Sequence, residues 1–214
     1  IFRDKLNENV FPWALWMIGL ALLLSFSMRS WYTPGVDANK EYWISNTTLQ
    51  LHYWNLSNLK YSYNYMLSIS ILPAVLNIIS SLSLLILFKL SFNALFSLSF
   101  ILVFFILNKN FSKIISFFGS FFFLSQPMIF NSIFSIPIRQ QIAFIFFGLM
   151  LLVLFSKELN PKIRNLLFVI FGFSMIVSHY STAYIALALF TLTYVLILFY
   201  KTYEKRKIKN GKLK

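Results

Sequence analysis

The run from Leu84 to Leu107 carries one charged side chain, Lys89, in 24 residues. About 18 or more apolar residues in succession match a hydrocarbon core roughly 30 Å thick. Inside lipid every peptide group must find a partner within the protein, so only helices or closed barrels cross. The run is continuous rather than alternating, which predicts a helix. Similar stretches are read at 10–28, 114–130, 141–155, 165–178 and 182–200, giving about six spans. The expected fold class is an all-α, polytopic transmembrane helical bundle. Composition agrees: 58% of residues are hydrophobic and 12% charged, against about 25% charged in soluble domains.

Met66 to Leu82 is apolar but interrupted by Ser, Asn and Pro73, which suits an interfacial or re-entrant helix better than a span. With the polar stretch before it, it makes residues 29–82 a long outer loop plus an interfacial helix. Residues 1–214 read as a single transmembrane domain, with 201–214 a basic cytoplasmic tail.

The net charge is +13. With the N-terminus cytoplasmic, all but five of the 19 Lys and Arg residues fall on the inner side, leaving Arg29, Lys40, Lys60, Lys89 and Arg139. The positive-inside rule therefore accounts for the basic total without any nucleic-acid partner. It places the chain in the cell membrane as a multi-pass protein, both ends cytoplasmic and the polar loop outside. The tail KTYEKRKIKNGKLK reads as a stop-transfer anchor, with anionic lipid as its other partner. The chain has no Cys, which removes disulfides, thiolate metal sites and Cys nucleophiles. A Gly-rich phosphate loop and an HExxH pair are also lacking.

The remaining polar residues gather on the outer side. In GVDANKEYW, Asp37 and Glu41 stand at i and i+4, one face of a helical turn. Two acids in a poorly solvated cleft supply a general base or jointly hold a cation, while in a solvated loop they do neither. Arg139, in PIRQQ, lies at the outer end of the fourth span, where a guanidinium either pairs with phosphate or snorkels. His179, in SHYS, occupies the turn between the fifth and sixth spans and serves as a phosphate donor, metal ligand or structural group. Lys89 is an intramembrane charge, functional by default unless it snorkels.

Four stretches in order, GVDANKEYW (35–43), NYMLSISILPAVLNI (64–78), SQPMIFNSIFSIPIRQQIAFIFF (125–147) and VSHYSTAYI (177–185), resemble a family of archaeal multi-span proteins regarded as GT-C-type glycosyltransferases. The resemblance covers about 150 residues and is to the N-terminal membrane part of a larger enzyme. It departs at Asn39, where the family often has His. It implies a transferase that moves a sugar from a polyprenyl-phosphate donor to a glycan, lipid or protein acceptor on the outer face. It also implies a catalytic acid in the first outer loop, a position that Asp37 fits. Glu41 would assist Asp37 or bind a divalent metal ion, and Arg139 and His179 would bind the lipid phosphate. The alternative is a transporter or flippase for a lipid-linked or anionic solute, with Arg139, Lys89 and His179 as its track. A non-catalytic scaffold would need no convergence of these residues.

Overall fold

The structure, a computed structural model, describes residues 7–33, 35–55, 62–126 and 137–209. Every regular element among them is helical. A short turn, Glu8–Val10, leads into α1 (Phe11–Ser27), and α2 (Val36–Leu51) follows in the loop. Next come α3 (Leu67–Ser70) and α4 (Leu72–Ser80). A long helix is then built from α5 (Leu84–Ile86), a π turn (Leu87–Ser91) and α6 (Phe92–Asn108). The chain continues with α7 (Lys113–Leu124), α8 (Ile138–Phe155), α9 (Pro161–Ser178) and α10 (Tyr180–Lys209).

Among the described residues, five helical stretches are long and apolar enough to cross a membrane: Glu8–Ser27, Leu84–Asn108, Ile138–Phe155, Pro161–Ser178 and Tyr180–Lys205. The expected span at 114–130 is described as α7 as far as Leu124; its last residues, 127–130, lie outside the described residues. With 12 residues, α7 is about 18 Å long at 1.5 Å per residue, short of a full crossing. Polar contacts mark two ends of the bundle. At one, Lys113 Nζ lies 3.3 Å from Asn9 Oδ1, and Lys109 pairs with Glu158 at 2.8 Å. At the other, Ser27 Oγ donates to the Lys89 carbonyl at 2.5 Å, and the Ile138 N–H meets Glu41. The chain therefore changes ends between Lys113 and Ile138.

The segment containing Pro73 forms two short helices, and Leu67–Ser80 is shorter than the stretches long enough to cross a membrane. Proline has no N–H, so the carbonyl four residues earlier loses its helical donor. That carbonyl belongs to Ile69, and Ser45 Oγ of α2 supplies the missing hydrogen bond at 2.5 Å. The break thus joins α3 to α2.

Three apolar clusters hold the helices together. Leu15, Phe96, Phe100, Phe104 and Leu124 tie α1, α6 and α7. At Gly19 of α1 an added Cβ would stand 2.2 Å from the Phe100 ring, so only a residue without a side chain permits this approach. Small residues at such crossings let membrane helices gain dispersion contact where the hydrophobic effect gives no preference. Met66, Ile69, Leu87, Phe88, Ile138 and Ile142 seat α3 against the π turn and α8. Ala143, Met150, Met175 and Ala186 link α8, α9 and the start of α10. From Thr191 to Lys205 every residue of α10 is exposed.

Candidate functional site

The loop after α1 is shaped before α2 begins. Gly35 has φ 97°, a left-handed conformation that other residues adopt only with strain, and it caps α2. The Asn39 N–H returns to the Gly35 carbonyl at 3.1 Å, and Thr33 Oγ1 donates to Asn39 Oδ1. Asp37 then falls in the first helical turn, where a negative charge complements the exposed N–H groups. One turn later comes Glu41.

Asp37 and Glu41 share a face of α2, and that face meets the first turn of α8. Arg139 Nη1 donates to Glu41 Oε1 at 2.5 Å and Nη2 to Asp37 Oδ2 at 2.8 Å. The other Glu41 oxygen accepts the Ile138 N–H at 2.7 Å. That donor has no partner inside its own helix, so the carboxylate also caps α8. Beneath the guanidinium lies the Tyr63 ring, 4.3 Å from Arg139 Cζ to the centroid, a cation–π arrangement. The Tyr63 hydroxyl is 3.5 Å from Asp37 Oδ1 and 3.4 Å from Arg139 Nη2. Arg139 Nε has no partner among the described residues.

The two acids differ in their contact with water. The Glu41 side chain is wholly buried, whereas 44% of the Asp37 side chain is exposed. Burial pushes the Glu41 carboxyl up to about 7, against the opposing pull of Arg139 and the Ile138 N–H. Glu41 is thus the interior half of the pair and Asp37 the half that solvent can reach.

His179 stands between α9 and α10 at the same end, 9% exposed. Its Nδ1 is 2.7 Å from Thr182 Oγ1, and Ser68 Oγ donates to the preceding carbonyl, that of Ser178, at 3.1 Å. Burial, with the Arg139 charge adding to it, pushes the imidazole down to about 4. At neutral pH the ring is uncharged and offers a hydrogen bond rather than a positive charge.

Asp37 and Glu41, read as a pair in the sequence, and Arg139, read apart from them, are one hydrogen-bonded group, and His179 lies close enough to feel the arginine. Both Nη atoms of Arg139 serve carboxylates, while its Nε–H has no partner among the described residues. A divalent cation does not fit between Asp37 and Glu41 as they stand, because the guanidinium fills that place. Among the described residues no three His, Cys, Asp or Glu side chains converge as metal ligands. Sequence reasoning missed Tyr63, one of several tyrosines in a polar loop, and Ser45. It also missed the buried Asn93–Gln141 pair, Gln141 Nε2 to Asn93 Oδ1 at 3.1 Å. Two amides inside apolar helices, one in α6 and one in α8, were the available signal.

No family model, no curated protein and no solved structure matches this chain.

Proposed function

We propose that this chain is the membrane part of a glycosyltransferase that moves a sugar from a polyprenyl-phosphate donor to an acceptor on the outer face, with Asp37 as general base. The observation that carries the reading is the junction of the loop acids with Arg139: a half-exposed carboxylate held by a buried arginine whose second partner is a buried carboxylate. In the reaction, Asp37 takes the proton of an acceptor hydroxyl as its oxygen attacks the anomeric carbon. The bond from that carbon to the phosphate oxygen breaks, and the polyprenyl phosphate leaves with the electron pair. Glu41, Arg139 and Tyr63 are positioning residues that fix the Asp37 carboxylate and shield one side of it from water.

In this reading six crossings of a GT-C-like bundle, α7 included, put the acids outside and the Lys109–Glu158 end in the cytoplasm. An apolar cleft of about 380 Å³ lined by Met150, Phe168, Met175, Tyr180 and Phe190 suits a prenyl chain. Its Tyr180 edge adjoins His179, which would reach the donor phosphate as a neutral hydrogen-bond partner. A transporter or flippase would place its ionic residues near mid-span; Glu41 and Arg139 instead meet at a helix start. In membranes carrying the protein, Asp37→Asn is expected to lower transfer of labelled sugar from a polyprenyl-phosphate donor by roughly 10²- to 10⁴-fold, the usual contribution of a general base. Wild-type transfer by a properly inserted Asp37→Asn protein overturns the assignment.

A further inference from the structure

Lys89 lies inside the stretch Leu84–Asn108, which is apolar enough to span a membrane, and is 8% exposed. A lysine near a helix end ordinarily snorkels, sending its ammonium out to water along its own stem. Here it does not. The π turn Leu87–Ser91, a distortion found often at functional sites, sets the side chain inward, and its Nζ donates to the Ser30 carbonyl in the loop beyond α1. The backbone is pinned as well, because the Lys89 carbonyl accepts from Ser27 Oγ at 2.5 Å and Asn93 Nδ2 at 2.9 Å.

No carboxylate answers this charge among the described residues. Of the chain's six acids, Asp37 and Glu41 are held by Arg139, and Glu8 and Glu158 are at the opposite end. Glu204 sits far along α10, hydrogen-bonded by Tyr200, and Asp4 lies outside the described residues. A buried cation whose one partner among the described residues is a neutral carbonyl bears a desolvation cost that an anion would offset. The loop that carries Ser30 ends at Gly35, where α2 and Asp37 begin. Phe88, next to Lys89, packs edge-on against Tyr42, next to Glu41, with ring centroids 5.4 Å apart. One end of the bundle therefore has an acidic half, with its arginine held between two carboxylates, and a separate cation that no carboxylate of the described residues meets.

We infer that Lys89, held inward by the π turn, is the phosphate-binding cation of this protein, its ammonium exchanging the Ser30 carbonyl for the phosphate oxygens of a lipid phosphate. That the phosphate is borne by a lipid rests on the transfer reading above; the buried, unanswered charge does not.

The test is farnesyl phosphate binding to the full chain in phosphatidylcholine nanodiscs, read by native mass spectrometry. The wild type binds, Lys89→Met binds roughly 10- to 100-fold more weakly, the loss of one charged hydrogen bond, and Lys89→Arg recovers part of the difference. Lys40→Met, at an exposed position on α2, binds as the wild type does. Equal binding by Lys89→Met, or none by the wild type, overturns the inference. Displacement by equimolar inorganic phosphate makes the ligand a soluble phosphate and overturns its lipid half. If Lys89→Met fails to insert, the wild type is acylated with an amine-reactive ester: farnesyl phosphate must slow modification of Lys89 but not of Lys40, and equal rates overturn the site. Lys89-dependent binding beside undiminished sugar transfer by Asp37→Asn leaves this site standing while the base assignment falls. Loss of transfer in Asp37→Asn with Lys89-independent binding does the reverse.

Discussion

The two ends of the bundle use the same chemistry, basic side chains against carboxylates, in opposite settings. At one end Lys109 meets Glu158 at 2.8 Å and Lys113 meets Glu8 at 3.7 Å, with side chains 29% to 69% exposed. At the other, Arg139 lies between Asp37 and Glu41, its own side chain 8% exposed and that of Glu41 wholly buried. Exposed pairs gain little over their hydration and are screened by salt. A buried charge depends on its partners because water cannot replace them. The first end holds exposed pairs that water can replace, and the second holds an arrangement that cannot be altered piecemeal.

The largest effect on stability is expected from Arg139→Met. It leaves Glu41 buried without its counter-ion and should cost about 3–5 kcal/mol, the usual price of breaking a buried pair from one side. Thermal unfolding in detergent measures it, and the loss should be smaller at pH 5 than at pH 8, because Glu41 can then take up a proton. A pH-independent loss would mean that Arg139 acts mainly by packing. Ser45→Ala comes next. It strands the Ile69 carbonyl that Pro73 leaves without a donor, at about 1–3 kcal/mol for a buried unsatisfied group. Ser45→Ala combined with Pro73→Ala should recover part of that loss, since the alanine N–H can supply the bond. No recovery would detach the helix break from the Ser45 contact.

The pH dependence of the wild type sharpens the same contrast. Burial raises the folded-state value of Glu41 from 4.5 to about 7, so between those values the folded protein keeps a proton that the unfolded chain has released. The contribution of Glu41 is therefore fully present below 4.5 and is lost as pH rises toward 7. His179, pushed from 6.5 down to about 4, works in the other direction: its contribution is present above 6.5 and is lost as pH falls toward 4. Glu41→Gln should flatten the loss on the alkaline side and leave the acid side intact. If the alkaline side is unchanged, Glu41 does not govern it.

Much of this was legible from residue order alone. Apolar runs announce spanning helices because lipid leaves the backbone no other solution, and Pro73 marked a segment that does not cross. Asp37, Glu41, Arg139 and His179 stood out because a polar residue beside a membrane segment needs a reason. What the sequence hid was how they pair. Arg139 is 98 residues from Glu41, and nothing local distinguishes an arginine that awaits a phosphate from one already enclosed by two acids. The inward turn of Lys89 was hidden for a similar reason: the carbonyl it reaches, that of Ser30, is 59 residues away. The end of α7, by contrast, had a local signal: Ser125, Gln126 and Pro127 follow Leu124, and a proline just beyond a helix end cannot continue it.

The smallest expected effect is at the opposite end, where Glu158→Gln removes the Lys109 pair. The Glu158 carboxyl is held below its ordinary value chiefly by the Lys109 hydrogen bond. A depressed acid contributes stability above its unfolded value and loses it as pH falls. Because Glu158 is exposed, that contribution is shared with water and screened, so the unfolding temperature of Glu158→Gln should match the wild type at neutral pH. Roughly 1 M salt, which contracts screening to about 3 Å, should leave the two indistinguishable even at low ionic strength's most favourable pH. The same salt should change the cost of Arg139→Met little, since counter-ions have no path to a carboxylate with no exposed surface. A Glu158→Gln loss as large as that of Arg139→Met would erase the distinction between the ends and would mean that the Lys109–Glu158 pair is buried against something further, such as lipid headgroups or additional chain.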